Sequence, residues 1–415
     1  MTTTLDPTAL PPGVTKSAQT KNLTLAFFAF MLTFWAWNLI APLGVFYASP
    51  GQLDLNSTQK SVLIAVPILV GSLGRIAVGV MTPKYGGRIM FTGLCLISAP
   101  FVILVAVAGS MKSYPLMIVF GFFLGIAGTS FAAGIPFLNN WYQPSRRGFA
   151  TGVFGAGMGG TALSAFFTPR FREWFGYFPT HVIMAVALVV MAAITWMFMR
   201  DAPTFTPSAE PGLPKLVDAM KLPITWQMSF LYAAAFGGFV AFSTYLPTYL
   251  NDVYDIADLK SAGARTAGFA IAAVIARPIG GVLSDRFGPR IITAISCGGA
   301  AVLAVWMIFK PDLGSGLAAV DFILMAVMMG MGAGSVFAWV SLASPAARVG
   351  AVTGLVGAAG GLGGFFPPLV MGATYDSQAH SYTIGLSLLV AFAAAACLFT
   401  LVGIPRSENE KKVSP

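Results

Sequence analysis

The sequence GRIAVGVMTPKYGGRIM, residues 74–90, places an arginine inside an apolar stretch, and ARPIGGVLSDRFGPRII, residues 276–292, repeats that design. A shift of 202 positions aligns Arg75 with Arg277 and Gly79 with Gly281. The same shift aligns Gly86 and Arg88 with Gly288 and Arg290. The two stretches therefore predict an internal duplication with one buried arginine in each copy.

The composition predicts an integral membrane protein. Of 415 residues, 56% are hydrophobic and 9% are charged, whereas an average soluble protein carries about 25% charged residues. About twelve apolar runs reach the length of roughly 20 residues that crosses a bilayer as a helix. Because lipid offers no hydrogen-bond partner to the backbone and the runs are too long for barrel strands, we predict an all-α polytopic membrane protein with twelve transmembrane helices.

The basic residues predict orientation rather than binding to nucleic acid. The formal net charge is +9, and most lysines and arginines fall on the side that holds both termini. The positive-inside rule then places both termini in the cytoplasm. Residues 1–21 lack a cleavable apolar core, so we expect no signal peptide.

A second match at the same offset supports the duplication. GFATGVFGAGMGG, residues 148–160, aligns with GAVTGLVGAAGGL, residues 350–362. Residues 200–223 hold five prolines and cannot form one continuous helix. We therefore predict a parallel repeat with a cytoplasmic N-terminal tail (1–21), a six-helix half (22–199), a cytoplasmic linker (200–223), a second six-helix half (224–404) and a cytoplasmic C-terminal tail (405–415).

Other chemistry lacks motifs in this sequence. Cys95, Cys297 and Cys397 are far apart, so neither a disulfide nor a metal cluster is expected. No GxxxxGK[ST] stretch supports ATP-driven transport. His181 and His380 have no partner pattern typical of catalysis. We expect no cofactor, no metal and no enzymatic activity.

The buried arginines carry the functional prediction. An arginine at the centre of a transmembrane helix costs about 2.5–3.5 kcal/mol on insertion scales. One interpretation is that each pairs with a buried acid or caps helix carbonyls. However, the acidic residues fall in tails, loops or span ends, except Asp321, about a turn into the tenth span. We therefore favour an anionic substrate, since guanidinium groups suit planar oxyanions and repeat transporters bind substrate near the midplane.

Two glycine-rich runs align between the copies: GVFGAGMGG (152–160) and GLVGAAGGLGG (354–364). Close helix packing through small faces is one explanation. Approach of the backbone to a small ligand is another, and both can hold together. The glycines that we expect near a substrate are Gly155, Gly159, Gly357 and Gly361.

The loop segments GVMTPKYGGR (79–88) and GVLSDRFGPR (281–290) resemble the G-x-x-x-D-R-x-G-R-[KR] loop of major facilitator transporters. The first copy departs from it, with Pro83 at the position of the aspartate and Lys84 at that of the arginine. The resemblance implies a major facilitator fold. It also implies a cytoplasmic gate or loop formed by Gly79, Gly86, Arg88, Asp285, Arg286 and Arg290.

The glycine-rich segments, including TGLVGAAGGLGGFFPPLVMGATYD (353–376), resemble the paired signatures of the nitrate/nitrite porter family. The first segment lacks an asparagine that many members carry near Met158 or Gly159. The resemblance implies that Arg75 and Arg277 hold the anion. It also points to three aromatic residues, which taken alone would indicate packing: Phe131, Tyr232 and Phe236. Tyr232 and Phe236 share a helical face.

Other residues are expected along the same pathway. Phe30 and Phe34 lie 202 positions before Tyr232 and Phe236. Phe337 is a candidate counterpart of Phe131 in the second copy. Met158 completes this set of possible pathway residues.

The resulting hypothesis is a secondary transporter of nitrate and nitrite in the bacterial inner membrane, working by alternating access. Because we expect neither a titratable carboxylate nor a histidine in the core, exchange of nitrate for nitrite is favoured over proton-coupled nitrate symport. A carboxylate antiporter of formate–oxalate type and an anion sensor with a transporter-like fold are less favoured alternatives. Expected partners are small inorganic anions and the lipid bilayer, and the expected state is a monomer.

Overall fold

The computed structural model describes residues 10–143, 146–208, 212–309, 316–345 and 348–404. Within these ranges the chain is helical, and its one β-type pairing is an isolated bridge between Asp376 and Ser381. The helices are α1 Lys16–Ala48, α2 Ser57–Tyr85, α3 Gly87–Ser110, α4 Tyr114–Trp141, α5 147–175, α6 Tyr177–Phe198, α7 Gly212–Met220, α8 Pro223–Tyr254, α9 Leu259–Phe287, α10 Pro289–Ile308, α11 Leu317–Ala343, α12 Val349–Ala373 and α13 Thr383–Gly403.

Eleven of these helices are long and apolar enough to cross a membrane. The helix α5 takes the chain position of the remaining predicted span. Its glycines make it less apolar than the others, and its last turns carry Arg170, Arg172 and Glu173. The all-α membrane fold predicted from the sequence is confirmed.

The ends of the helices differ from the predicted boundaries in two places. The first helix begins at Lys16, inside the predicted tail 1–21, where Thr15 caps it by accepting a hydrogen bond from the Ala18 amide at 3.2 Å. The predicted linker 200–223 contains the short helix α7. Residues 1–9, 209–211 and 405–415 of the predicted tails and linker lie outside the described residues.

Helix bounds repeat with the 202-residue offset seen in the sequence. The helices α2 and α9 begin at Ser57 and Leu259 and end at Tyr85 and Phe287. Each is followed by a glycine with a positive φ, 83° at Gly86 and 88° at Gly288. Residues other than glycine rarely adopt a positive φ. The glycine of the loop motif is therefore required to turn the chain into the next helix.

Three spans depart from α-helical geometry in the middle of the bundle. Residues Gly125–Thr129 of α4 and Ala156–Gly159 of α5 form 3₁₀ turns, and Ala233–Gly237 of α8 form a π turn. Such turns inside long helices often mark functional sites. The helix α2 packs on α12 and α9 packs on α5, so these contacts join the two predicted halves.

Candidate substrate-binding site

Arg75 on α2 is 1% exposed and contacts backbone from both predicted halves. Its Nη1 donates to the Gly357 carbonyl of α12 at 2.9 Å, and its Nε donates to the Gly128 carbonyl of α4 at 3.3 Å. The Nη2 group is buried and has no hydrogen-bond partner among the described residues. Carbonyl groups thus stabilise this cation in part, while one donor stays available.

Arg277 on α9 is half-buried and has different partners. Its Nη2 donates to the Tyr232 hydroxyl at 3.0 Å, and its Nη1 lies 3.2 Å from the Met158 sulfur. Met158 belongs to the 3₁₀ turn of α5, in the other predicted half. A thioether is a weak acceptor, so this donor is poorly satisfied. Within the described ranges neither Arg75 nor Arg277 forms an ion pair with an acid.

Both arginines face the same two aromatic rings. The Phe131 ring centroid lies 5.6 Å from the guanidinium carbon of Arg75 and 5.7 Å from that of Arg277. For Phe236 these distances are 5.5 and 5.6 Å. Cations within about 6 Å of a ring centroid are attracted by the ring face, so the rings hold two like charges near each other.

The other predicted aromatics lie close to these two arginines and rings. The Tyr232 and Phe236 rings are stacked with centroids 4.9 Å apart and an angle of 2° between their planes. Phe337 lies 5.4 Å from the Arg277 guanidinium carbon, and Phe34 lies 6.0 Å from that of Arg75. Phe30 packs behind them, with its ring centroid 5.6 Å from that of Phe131.

The predicted glycines have unequal surroundings. A Cβ atom on Gly361 would lie 2.9 Å from the Ser72 Cβ and 3.3 Å from Arg75 Nη1, so only glycine fits there without a shift. A Cβ on Gly357 would lie 3.8 Å from the Phe131 ring, an ordinary contact. Nothing lies within 4 Å of the corresponding position on Gly155 or Gly159. Close packing therefore accounts for Gly361 but not for Gly155 or Gly159.

The predicted loop residues lie away from the arginine centre. Arg88 donates to the Trp196 carbonyl at 2.9 Å, and Arg290 donates to the Thr400 carbonyl at 3.0 Å. Each arginine thus ties the start of one helix to the end of the last span in its own predicted half. Asp285 and Arg286 are exposed.

Asp201, at the start of the linker, is a further residue of this region. Its carboxylate accepts a hydrogen bond from the Gly87 amide at 2.6 Å, at the first residue of α3. Burial raises the pKa of this carboxyl, against the lowering effect of the backbone hydrogen bonds. An acid from the linker therefore caps this helix in the copy whose loop carries Pro83 in place of aspartate.

A cavity of about 790 Å³ leads from Arg75 to one end of the bundle. Its inner wall includes Arg75, Phe131 and Gly357, and Gly79 lies further along it. Its mouth carries basic side chains and one acid, contributed by the end of α2, by α7 and by the residue before α12: Lys84, Lys215, Asp218 and Arg348. The basic mouth and the arginine centre together favour anions.

The sequence did not reveal the partners that Arg75 uses. Ser72 lies one helical turn before Arg75 on the same face of α2, but its hydroxyl donates to the Ile68 carbonyl and not to a group of the site. The carbonyls of Gly128 and Gly357 carry no side-chain signal. No group of three or more metal-ligating side chains occurs among the described residues.

A bundle of helices long and apolar enough to cross a membrane, with a cavity lined by basic residues between its two predicted halves, is typical of a membrane transport protein. The chain matches the Major Facilitator Superfamily over residues 24–368 and 257–414. The crystal structure of a D-xylose-proton symporter shares this fold, with a TM-score of 0.72, 13% identity and coverage of 94% of this chain and 99% of that chain.

Relatives narrow the class further. Over 382 residues the chain is 57% identical to "Probable nitrate/nitrite transporter NarK2" of Mycobacterium tuberculosis, covering 92% of this chain and 96% of the relative. Over 384 residues it is 32% identical to "Nitrite extrusion protein" of Bacillus subtilis, covering 92% and 93%. The chain belongs to the nitrate/nitrite porter family of the Major Facilitator Superfamily, as the motif resemblance predicted.

Proposed function

We propose that this protein is a secondary transporter that moves nitrate and nitrite across the membrane by alternating access. The observation that carries the proposal is the pair of guanidinium groups, Arg75 and Arg277, which face the same rings without an acidic partner among the described residues. The printed names of the relatives, nitrate/nitrite transporter and nitrite extrusion protein, support the same substrate class.

The proposed binding mode follows from the donors that remain available. Arg75 contributes its Nη2 group, and Arg277 contributes the Nη1 group that contacts the Met158 sulfur. The Tyr232 hydroxyl accepts a hydrogen bond from Arg277, so its own proton is free to be donated. A planar anion with several oxygens can accept from all three groups while its faces pack on aromatic rings.

We propose that transport occurs by rocking of the two six-helix halves, 22–199 and 224–404, about this centre. The protein would lie in the bacterial inner membrane as a monomer in contact with lipid, with both termini in the cytoplasm. In this orientation the cavity opens toward the cytoplasm. The basic mouth would then raise the local concentration of anions at the entrance.

Exchange of nitrate for nitrite is the favoured coupling. Two permanently charged side chains in a low-dielectric core resist reorientation without a compensating anion. This favours a cycle in which an anion is bound during each change between the inward-open and outward-open conformations. Proteoliposomes loaded with nitrite should take up nitrate without a pH gradient. Uptake that requires a pH gradient and ignores internal nitrite would reverse this choice.

Proton-coupled symport is the second candidate, and Asp321 is the observation that favours it. This side chain on α11 is 2% exposed, and neither carboxyl oxygen has a hydrogen-bond partner among the described residues. A buried, unpaired carboxylate is costly unless it is protonated. If symport operates, Asp321→Asn should abolish pH-gradient-driven uptake while leaving nitrate–nitrite exchange intact.

The substrate class has a direct test. Uptake of labelled nitrate into proteoliposomes that contain only this protein should be saturable, which a sensor would not show. Nitrite should compete with nitrate, whereas formate, oxalate and chloride should not. Competition by oxalate stronger than that by nitrite would favour the carboxylate antiporter instead.

A further inference from the structure

A buried ion pair lies toward the end of the bundle opposite the cavity. Lys60 near the start of α2 places its Nζ 2.9 Å from both carboxylate oxygens of Asp252, near the end of α8. The two side chains are 8% and 9% exposed. Because Lys60 belongs to the first predicted half and Asp252 to the second, this pair joins the halves.

A second link between the same helices lies beside the ion pair. Ser61, the residue after Lys60, has its hydroxyl 2.9 Å from the Tyr245 hydroxyl of α8. The Tyr245 hydroxyl lies 3.2 Å from that of Tyr382, which in turn donates to the Asp252 carboxylate. These five residues form a continuous set of polar contacts, called here the outer clasp.

The outer clasp lies far from Arg75, on the side opposite the cavity. Lys60 precedes Arg75 by 15 residues, which corresponds to about 22 Å along a helix. From Arg75 the cavity extends in the opposite direction, toward Lys84. An anion that approaches Arg75 from the closed end must therefore pass between α2 and α8, and the outer clasp must separate first.

We propose that Lys60 and Asp252 are further functional residues of the transport cycle, whose ion pair keeps this end closed while the cavity is open at the other. The inference rests on the proposed transport function. Removing one partner of a buried pair leaves the other charge uncompensated in the closed state. In a conformation that is open at this end, water solvates both groups. Removing one partner therefore destabilises the closed conformation more than the open one.

The chain offers a matched control pair. Lys260 at the start of α9 lies 2.9 Å from Glu173 at the end of α5, which also joins the two predicted halves. These side chains are 42% and 50% exposed. Exposed ion pairs contribute little to stability, so breaking this pair should not open the bundle.

The test measures access to a reporter inside the closed end. Thr248 on α8 is fully buried, lies between Tyr245 and Asp252, and faces Gly44 of α1. In a background with the three native cysteines replaced by alanine, Thr248→Cys is labelled with a polar maleimide in purified, detergent-solubilised protein. The labelling rate reports how often this end opens, and it requires no substrate.

Asp252→Asn should raise the labelling rate by about tenfold or more, whereas Lys260→Gln should change it by less than about threefold. The charge-swapped double variant, Lys60→Asp with Asp252→Lys, should return the rate toward the starting value. An unchanged rate in Asp252→Asn, or an equal rise in Lys260→Gln, overturns the proposal. Size-exclusion profiles confirm that each variant is folded.

A milder variant keeps the proposal testable if Asp252→Asn does not fold. Tyr382→Phe removes the hydroxyl that contacts both Tyr245 and the Asp252 carboxylate. It should raise the labelling rate by about tenfold, as expected for the loss of a hydrogen bond to a charged group. No change in that variant overturns the proposal as well. If wild-type vesicles fail to take up nitrate while Asp252→Asn accelerates labelling, the proposed function fails and the gate remains. If wild-type protein transports but labelling never changes, the gate alone fails.

Discussion

The substitution Gly361→Ala tests whether close contact between α2 and α12 is needed for transport. The added methyl would lie 2.9 Å from the Ser72 Cβ and 3.3 Å from Arg75 Nη1, and still closer to the Ser72 hydroxyl. Overpacking of this kind costs about 1–3 kcal/mol, or about a 5- to 150-fold change in an equilibrium at about 1.4 kcal/mol per factor of ten. Because Arg75 is one of the two crowded neighbours, we expect its position in the site to change.

Nitrate uptake by Gly361→Ala in proteoliposomes should therefore fall by about tenfold or more. The matched control is Gly354→Ala in the same helix, where nothing lies within 4 Å of the new methyl. That change should leave uptake intact and add up to about 1 kcal/mol of helix stability. The double variant Ser72→Gly with Gly361→Ala removes the nearest clash and should recover part of the uptake. Wild-type uptake by Gly361→Ala would refute the reasoning.

Three further predictions address the charges and the hydroxyl of the site. Arg75→Lys and Arg277→Lys should each reduce uptake at least about 100-fold through loss of planar paired donors, with Arg265→Lys on the exposed surface as a control; normal flux in either would remove that arginine from the site. Tyr232→Phe should weaken nitrate protection against thermal unfolding by about tenfold in Kd, since one hydrogen bond to a charged group is lost, and an unchanged Kd would contradict a donated hydroxyl. Lys84→Gln should raise KM at low salt, leave kcat unchanged and lose its effect at high salt; a salt-independent effect would argue against electrostatic attraction at the mouth.

The sequence predicted the parts of this molecule that depend on local pattern. Apolar runs predicted the helices, and the offset of 202 positions predicted matching bounds for α2 and α9. The glycine of the loop motif has a local explanation, because Gly86 and Gly288 both adopt a positive φ. Motifs in the glycine-rich segments predicted the family.

Contacts between distant residues could not be predicted in the same way. The pairing of Lys60 with Asp252 joins positions 192 residues apart, and neither residue stands in a recognisable motif. The carbonyl partners of Arg75 come from backbone, which every residue possesses. Gly159 and Gly361 align in sequence, yet only the second is crowded by neighbours.

The hydrogen bond from Arg75 to the Gly357 carbonyl has a reciprocal consequence. The guanidinium whose Nη2 would bind an anion also joins α2 to α12, because its Nη1 donates to the Gly357 carbonyl across the boundary between the predicted halves. An anion that draws this guanidinium toward itself must weaken the hydrogen bond to Gly357. In return, a weaker contact between α2 and α12 must make the guanidinium more available to the anion. Because such linkage is symmetric, the affinity for the anion and the stability of the contact between α2 and α12 cannot be changed independently in this protein.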